Sequence, residues 1–190
     1  MIHNRTAKTV NTWYGDISED LFQQFAKTQL LVLDVDGVFS DGRIYLGNQG
    51  EELKAFHTRD GFGLKAWTDA GYPAAVITGR KSAIVERRMK HLGVSHIYQG
   101  VTNKVEVYEQ LLETLQLNDS QVAYVGDDVP DLNLINRVNL GIAVHDAHPS
   151  VQIAAQYVTR CQGGFGAVRE VCDLLLLSRG ELASAEGVSL

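Results

Sequence analysis

The chain of 190 residues contains no apolar stretch approaching the roughly 18 residues that a membrane-spanning helix needs. Its N-terminus also has no apolar segment of the kind found in a secretory signal. Only two cysteines are present, Cys161 and Cys172, which is too few for a disulfide framework, and Cys172 fits the apolar face of a predicted helix. Basic residues are in the minority, and the net charge of −6 argues against nucleic acid or an anionic membrane as the main partner. We therefore expect a soluble, cytoplasmic protein.

The hydrophobic pattern alternates between the strand period and the helix period along most of the chain. Strands are predicted at 30–35, 73–77, 96–99, 121–125, 140–144 and 156–159. Helices are predicted at about 60–70, 81–92, 103–116, 129–137, 148–155 and 166–178, with a shorter one near 17–25. This order indicates βαβ units, and hence an α/β fold with a doubly wound, Rossmann-like parallel sheet. We expect one domain over 16–180, a loose arm at 1–15 and a flexible tail at 181–190.

One segment, residues 39–58, interrupts this alternation. Two short strand-like runs, RIYL and LKAF, flank the turn-forming residues GNQG at 47–50. This pattern predicts a β-hairpin beside the active end of the sheet. An isolated hairpin is marginally stable in water, so it needs a surface to pack against, either in its own chain or in a neighbouring subunit.

The most informative motif is LLVLDVDG at 30–37, an apolar strand that ends in two carboxylates followed by a glycine. Because side chains alternate along a strand, Asp34 and Asp36 begin on the same side, near the carboxyl end where open α/β sheets bind ligands. Two carboxylates about 4 Å apart repel each other by roughly 1–4 kcal/mol. A divalent cation would relieve that repulsion and leave one aspartate free to act as a nucleophile.

Further polar groups follow the other predicted strands: Thr78, Gly79, Arg80, Lys104, Asp127, Asp128 and Asp131. A carboxylate nucleophile, a metal site, a hydroxyl and a lysine are what phosphoryl transfer requires. Helix N-termini near Gly79 and Asn103 add amide donors for an anion. Taken alone, Asp128 or Asp131 is equally well explained as a helix cap, but the order and placement of the whole set favour a phosphoryl-transfer site.

In this order the motifs resemble those of the haloacid dehalogenase superfamily of phosphatases, over about residues 28–180. The resemblance implies that Asp34 is the nucleophile. It implies that Asp36 is the general acid/base, which protonates the leaving oxygen and later activates water. Thr78 and Lys104 match the residues that hold the phosphoryl oxygens. An aspartate at the position of Asp36, which dehalogenases lack, favours phosphoester hydrolysis.

The same resemblance implies a Mg²⁺ cofactor. Its ligands would be Asp34, the backbone carbonyl of Asp36, and Asp127. Asp128 and Asp131 would support this set.

The hairpin stands in place of a large cap domain, as in a capless subgroup of the superfamily that assembles as homotetramers. Further motifs are similar to those of phosphatases for the phosphorylated eight-carbon sugar acid used in the lipopolysaccharide inner core: FHTRDG at 56–61, TGRK at 78–81, YQG at 98–100, AHP at 147–149 and GAVREVCD at 166–173. The resemblance implies composite active sites, in which each hairpin covers a neighbouring subunit's site. It also implies a C-terminal tail, here ending at 187–190, that reaches a neighbour.

A sugar-acid phosphate carries a phosphate and a carboxylate, so a cation beyond Lys104 is expected. Arg59 and Arg80 are candidates for substrate binding, with surface ion pairs as the alternative. Gly79 would contribute its backbone, and Asp60 either contacts substrate or caps the helix that begins there.

Two positions depart from the pattern of the similar proteins. Phe165 stands where they have an arginine, and His57 where many have an asparagine. A phosphatase for a nine-carbon sugar acid or another small phosphometabolite therefore remains an alternative. A regulatory module on the same fold would be expected to have lost catalytic residues, and a phosphotransferase or mutase would need a second, mobile cap to exclude water.

Overall fold

The structure is a computed structural model that describes residues 8–182. Its strands, in chain order, are β1 (Thr9–Thr12), β2 (Gly15–Ser18), β3 (Leu30–Leu33), β4 (Tyr45–Leu46), β5 (Glu52–Leu53), β6 (Ala74–Thr78), β7 (His96–Gln99), β8 (Val122–Gly126), β9 (Leu140–Ala143) and β10 (Tyr157–Val158). Six of them form one parallel sheet in the order β10, β9, β8, β3, β6, β7. The strand order reverses at β3, so the sheet is doubly wound as predicted.

The helices are α1 (Glu19–Lys27), α2 (Thr58–Asp69), α3 (Ala83–His91), α4 (Lys104–Leu115), α5 (Leu132–Ile135), α6 (Pro149–Ala154) and α7 (Ala167–Ser178), with 3₁₀ turns at Asp119–Gln121 and Val129–Asp131. Helix α7 packs against α1 and α2, whereas α5 packs against α4 and α6. Right-handed crossovers place these two groups on opposite faces of the sheet. Each predicted strand and helix of the main sheet is confirmed to within a few residues.

The central strands β3, β6 and β8 are buried along their whole length. Both faces of a parallel sheet are covered by helices, which explains why these strands are continuous apolar runs without polar alternation. Helix α2 contributes the fully buried Trp67, whose indole N–H donates to the carbonyl of Pro73 at 3.0 Å. Cys172 is buried on α7 as predicted, and its thiol is unpaired.

The start of the described chain corrects one prediction. Residues 9–15 are not a loose arm, because β1 pairs antiparallel with β2. Tyr14 in the connecting turn ties this hairpin to the domain by donating its hydroxyl to Asp173 on α7 at 2.7 Å. The alternating pattern of so short a hairpin is too weak to recognise in the sequence. Residues 1–7 and 183–190, including the predicted tail motif at 187–190, lie outside the described residues.

The hairpin predicted at 39–58 is present, with β4 and β5 paired antiparallel around the turn at 47–50. It is shorter than the sequence suggests, because each strand has two residues and a single further bridge joins Ser40 to Phe56 at its base. Among residues 8–182, none of the helices has the length and apolar character needed to cross a bilayer.

Candidate active site

The predicted site residues come together where the strand order reverses. Asp34 follows β3, Thr78 ends β6, Asp127 follows β8, and Lys104 is the first residue of α4. These four residues line one cavity of about 730 Å³. The loop after β3 depends on Gly37, whose φ of 89° is readily adopted only by glycine and whose missing Cβ leaves room for the Asp127 carboxylate.

The lysine is anchored between two carboxylates. Lys104 Nζ lies 3.2 Å from Asp34 Oδ1 and 2.8 Å from Asp131 Oδ1. Asp131 is buried, and its other oxygen accepts the backbone N–H groups of Asp127 and Asp128 at 3.0 and 3.3 Å. Burial lowers the pKa of Lys104, but the carboxylates of Asp34 and Asp131 outweigh it and raise that pKa. Lys104 is therefore a permanent cation beside the predicted nucleophile.

The carboxylates of this site are electrostatically crowded. Burial raises the pKa of Asp34 to about 6, an effect that Lys104 opposes and Asp131 reinforces. Burial also raises the pKa of Asp127 to about 7, with the charges of Asp34 and Asp131 adding to the shift. A divalent cation would favour the charged forms of both groups.

The donor set fits Mg²⁺. Carboxylate oxygens of Asp34, Asp127 and Asp131 lie within 4.8 Å of one another, and the buried Asp34 Oδ1 has the Lys104 ammonium at 3.2 Å as an ion-pair partner but no hydrogen bond of good geometry from the described residues. Hard oxygen ligands of this kind are what Mg²⁺ prefers. Because the oxygens of Asp131 already accept hydrogen bonds, Asp34 and Asp127 are the carboxylates left for the metal.

Asp36 lies at the mouth of the cavity among cations. It is ion-paired with Lys54 of the hairpin, and its Oδ2 lies 3.8 Å from Arg80 Nε. The hydroxyl of Ser40 donates to Asp36 Oδ1 at 3.3 Å. Arg80 also lies 3.5 Å from Glu52 of the hairpin. Sequence reasoning missed Lys54, since only the fold of the hairpin brings a lysine 18 positions away back onto Asp36.

The phosphate-binding candidates occupy the predicted places. Thr78 is buried at the floor, and Gly79 and Arg80 continue the wall beyond β6. Asn103 lines the opposite side and caps α4 by accepting the N–H of Glu106. Asp128 lies at the rim, where its side chain caps the following 3₁₀ turn by accepting the N–H of Val129 at 2.8 Å.

Two predicted substrate residues do not reach this cavity. Asp60 is fully buried and accepts the N–H groups of Gly166 and Arg169 at 3.0 and 2.9 Å, so it caps α7 instead of contacting substrate. Arg59 is exposed and lies outside the cavity lining of this chain. His57 accepts the N–H of Arg59 and thereby caps α2. The sequence predicts this capping role as one of two alternatives for Asp60.

Phe165 also lies outside the cavity lining, on a loop that packs against the turn after Asp36. Its side chain is half exposed. The preceding Gly164 donates its N–H to the carbonyl of Val38 at 2.9 Å, and Gly163 packs so closely on Gly37 that a Cβ would collide with its carbonyl. These contacts therefore hold the turn after Asp36 in place.

The fold and the arrangement of Asp34, Lys104 and Asp127 define a haloacid dehalogenase-like hydrolase, and the family of that description matches residues 90–170. The chain is 50% identical over 181 residues to the 3-deoxy-D-manno-octulosonate 8-phosphate phosphatase of Yersinia pestis, covering 95% of this chain and 97% of that protein. The chain belongs to this phosphatase family and is a phosphomonoester hydrolase.

Solved structures agree with this assignment. A crystal structure of the phosphatase from Yersinia pestis superposes with a TM-score of 0.94 at 49% identity, covering 97% of this chain and all of that one. The phosphatase from Moraxella catarrhalis, crystallised with magnesium, phosphate and the sugar acid, has a TM-score of 0.85 at 41% identity, covering 87% of this chain and 95% of that one. The predicted fold, enzyme class and Mg²⁺ cofactor are thereby confirmed.

Proposed function

We propose that this enzyme hydrolyses 3-deoxy-D-manno-octulosonate 8-phosphate to the free sugar acid and phosphate, a step in the synthesis of the lipopolysaccharide core. The observation that carries the proposal is the buried Asp34 carboxylate, whose Oδ1 lies 3.2 Å from the Lys104 ammonium in the cavity of a chain that belongs to a family of phosphatases with this substrate. A cavity of about 730 Å³ is large enough for a small phosphorylated sugar.

In the first half of the reaction an oxygen of Asp34 attacks phosphorus, and the bond between phosphorus and the sugar oxygen breaks. Asp36 gives its proton to the leaving oxygen, so that the sugar departs as an alcohol. Lys104 and the hydroxyl of Thr78 hold the equatorial phosphoryl oxygens. Mg²⁺, held by Asp34, Asp127 and the backbone carbonyl of Asp36, neutralises phosphoryl charge when bound.

In the second half a water molecule attacks the phosphorus of the aspartyl phosphate. Asp36, now a carboxylate, takes the proton of that water, and the bond between phosphorus and Asp34 breaks. Inorganic phosphate leaves, and both aspartates return to their starting states. Asp34 thus acts twice, as nucleophile and as leaving group.

The carboxylate of the sugar acid needs a cation that the phosphate does not use. Arg80 fits this role, because its side chain is about half exposed at the mouth of the cavity. Lys54 is less suited, since its side chain is 2% exposed and already paired with Asp36. A guanidinium also offers the bidentate geometry that carboxylates prefer.

Phosphate release from a panel of phosphorylated sugars tests the named substrate. With Mg²⁺ present, we expect kcat/KM for the eight-carbon sugar acid phosphate to exceed that for the nine-carbon analogue and for neutral sugar phosphates by about 10²-fold, roughly 2.7 kcal/mol of transition-state preference. Equal rates across the panel would contradict the proposed substrate but would agree with phosphatase activity. A preference for the nine-carbon acid would direct attention to Phe165 and His57, the two positions at which the sequence resemblance predicts a departure.

The hairpin supports a further proposal, a homotetramer with composite active sites. Its apolar side chains project into solvent in the single chain, with Ile44, Leu46 and Leu53 exposed by 55%, 71% and 64%. Two paired residues per strand do not hold a hairpin alone, and an exposed apolar patch marks an interaction surface.

Light scattering tests the assembly. We expect a mass about four times the 20.9 kDa of one chain. The double variant Leu46→Glu with Leu53→Glu should dissociate, because it places charges in the interface core. Ile153→Glu is the matched control, since Ile153 is 86% exposed and belongs to α6 instead of the hairpin. A wild-type mass of one chain would overturn the composite site.

A further inference from the structure

Beneath the cavity lies a tyrosine that neither the predicted motifs nor the reaction scheme uses. Tyr124 is fully buried on β8 and does not line the cavity. Its hydroxyl lies 2.6 Å from Asp131 Oδ1, to which it donates, and 3.3 Å from Lys104 Nζ, from which it accepts. The hydroxyl therefore closes a three-membered ring of hydrogen bonds with the carboxylate and the ammonium group.

The two oxygens of Asp131 have separate tasks. Oδ2 accepts the backbone N–H groups of Asp127 and Asp128, which fixes the loop that carries the metal ligand. Oδ1 accepts from Lys104 at 2.8 Å and from Tyr124. Tyr124 thus donates to the same Asp131 oxygen as Lys104, Oδ1, and not to Oδ2, which accepts the N–H groups of the loop.

Lysine has a long, flexible side chain, and holding it in one rotamer costs side-chain entropy. In this site Lys104 Nζ contacts Asp34, Asp131 and Tyr124. Two of these contacts are carboxylates, and only the tyrosine contact is neutral. Tyr124 also gives Asp131 Oδ1 a second donor beside Lys104.

We propose that Tyr124 is a positioning residue for the phosphatase reaction, whose hydroxyl holds Lys104 in the orientation that faces the phosphoryl group beside Asp34. The inference rests on the role proposed for Lys104 in phosphate binding. Tyr124 does not contact the substrate, and it acts through Lys104 and Asp131.

The variant Tyr124→Phe keeps the buried ring and removes only the hydroxyl. In the Mg²⁺-loaded enzyme we expect kcat/KM to fall about tenfold and the dissociation constant of inorganic phosphate, measured by calorimetry, to rise about tenfold. The dissociation constant of Mg²⁺ without phosphate should change by less than about twofold, because the bonds from Asp131 Oδ2 to the metal-site loop do not involve the hydroxyl.

Tyr108→Phe provides the matched control. Tyr108 is also fully buried, and its hydroxyl donates to the carboxylate of Asp119 at 2.9 Å, but both residues lie outside the cavity lining. We expect it to lower the thermal midpoint much as Tyr124→Phe does and to leave phosphate binding and kcat/KM unchanged. Equal kinetic losses in the two variants would show a general effect of removing a buried hydroxyl and would overturn the proposal.

A double-mutant cycle with Lys104→Met separates positioning from structural damage. If Tyr124 acts through Lys104, Tyr124→Phe should weaken phosphate binding about tenfold in the wild type and less than about twofold in the Lys104→Met background. Additive losses would overturn the inference alone. If Lys104→Met leaves phosphate binding and activity unchanged, the proposed role of Lys104 fails first, and the inference fails with it.

Discussion

Asp34→Asn is expected to reduce phosphate release by at least about 10⁴-fold, which in practice means no detectable turnover. The variant keeps the shape of the side chain but replaces a carboxylate with an amide that is neither a nucleophile for phosphorus nor an anionic metal ligand. Asp34 lines the cavity, and its buried Oδ1 has the Lys104 ammonium, 3.2 Å away, as its ion-pair partner. Lys104 retains its 2.8 Å ion pair with Asp131, which preserves the phosphate-binding side.

The same variant should fold as well as the wild type. Burial raises the pKa of Asp34 to about 6 in the folded protein, so the folded state binds this proton more tightly than the unfolded chain does. The contribution of such a group to stability therefore falls as pH rises through 6, and at pH 8 the metal-free wild type holds a destabilising carboxylate ion. We expect metal-free Asp34→Asn at pH 8 to have a thermal midpoint no lower than that of the wild type.

The assay needs a control for contaminating phosphatases. Asp20→Asn, purified in parallel, changes an exposed aspartate in the first turn of α1 and should retain full activity. Asp34→Asn activity within about tenfold of this control would contradict the nucleophile assignment. A lower thermal midpoint of the metal-free variant would contradict the electrostatic argument and leave the nucleophile assignment untouched.

The sheet and the core of the site could be predicted because they follow from local rules. Continuous apolar runs such as 30–33 and 122–126 indicate strands buried on both faces, and the alternation with helices leaves a parallel sheet as the outcome. The carboxyl ends of such strands meet at one edge of the sheet, so the sequence predicts that Asp34, Lys104 and Asp127 lie close together.

What the sequence did not reveal depends on tertiary contacts. Lys54 and Asp36 meet only because the hairpin folds back over the strand end, and a short hairpin has no sequence rule that fixes its tilt. An aspartate such as Asp60 can cap a helix or contact a substrate. Its hydrogen-bond partners Gly166 and Arg169 lie more than 100 residues away in the sequence, so local patterns do not reveal them. In the hydrophobic pattern Tyr124 is one more large residue of β8. That pattern does not predict which groups its hydroxyl contacts.

Asp36→Asn is expected to lower kcat for the sugar phosphate by about 10²–10⁴-fold, because a sugar alkoxide is a poor leaving group unless it is protonated. Asp36 is placed for this work at the mouth of the cavity, where the Ser40 hydroxyl and Lys54 orient its carboxylate. An amide keeps most of this geometry and cannot transfer the proton.

The leaving group makes this prediction specific. p-Nitrophenyl phosphate releases a stable phenolate without general-acid help, so Asp36→Asn should form the aspartyl phosphate from it at close to the wild-type rate. Hydrolysis of that intermediate still needs a base to take the proton of water, so the variant should show a burst of about one nitrophenolate per active site followed by a slow steady rate. Mass spectrometry should find the added phosphoryl group on Asp34.

Asp41→Asn is the matched control, since Asp41 lies on the same loop, accepts the Tyr45 hydroxyl at 2.8 Å and does not line the cavity. It should show neither a burst nor a trapped phosphoryl group. If Asp36→Asn loses activity equally on both substrates and gives no burst, Asp36 contributes to binding or metal placement and not to proton transfer. A burst with a phosphoryl group on Asp34 would assign both aspartates at once, because the intermediate can accumulate only when Asp34 still attacks and the base that hydrolyses it is missing.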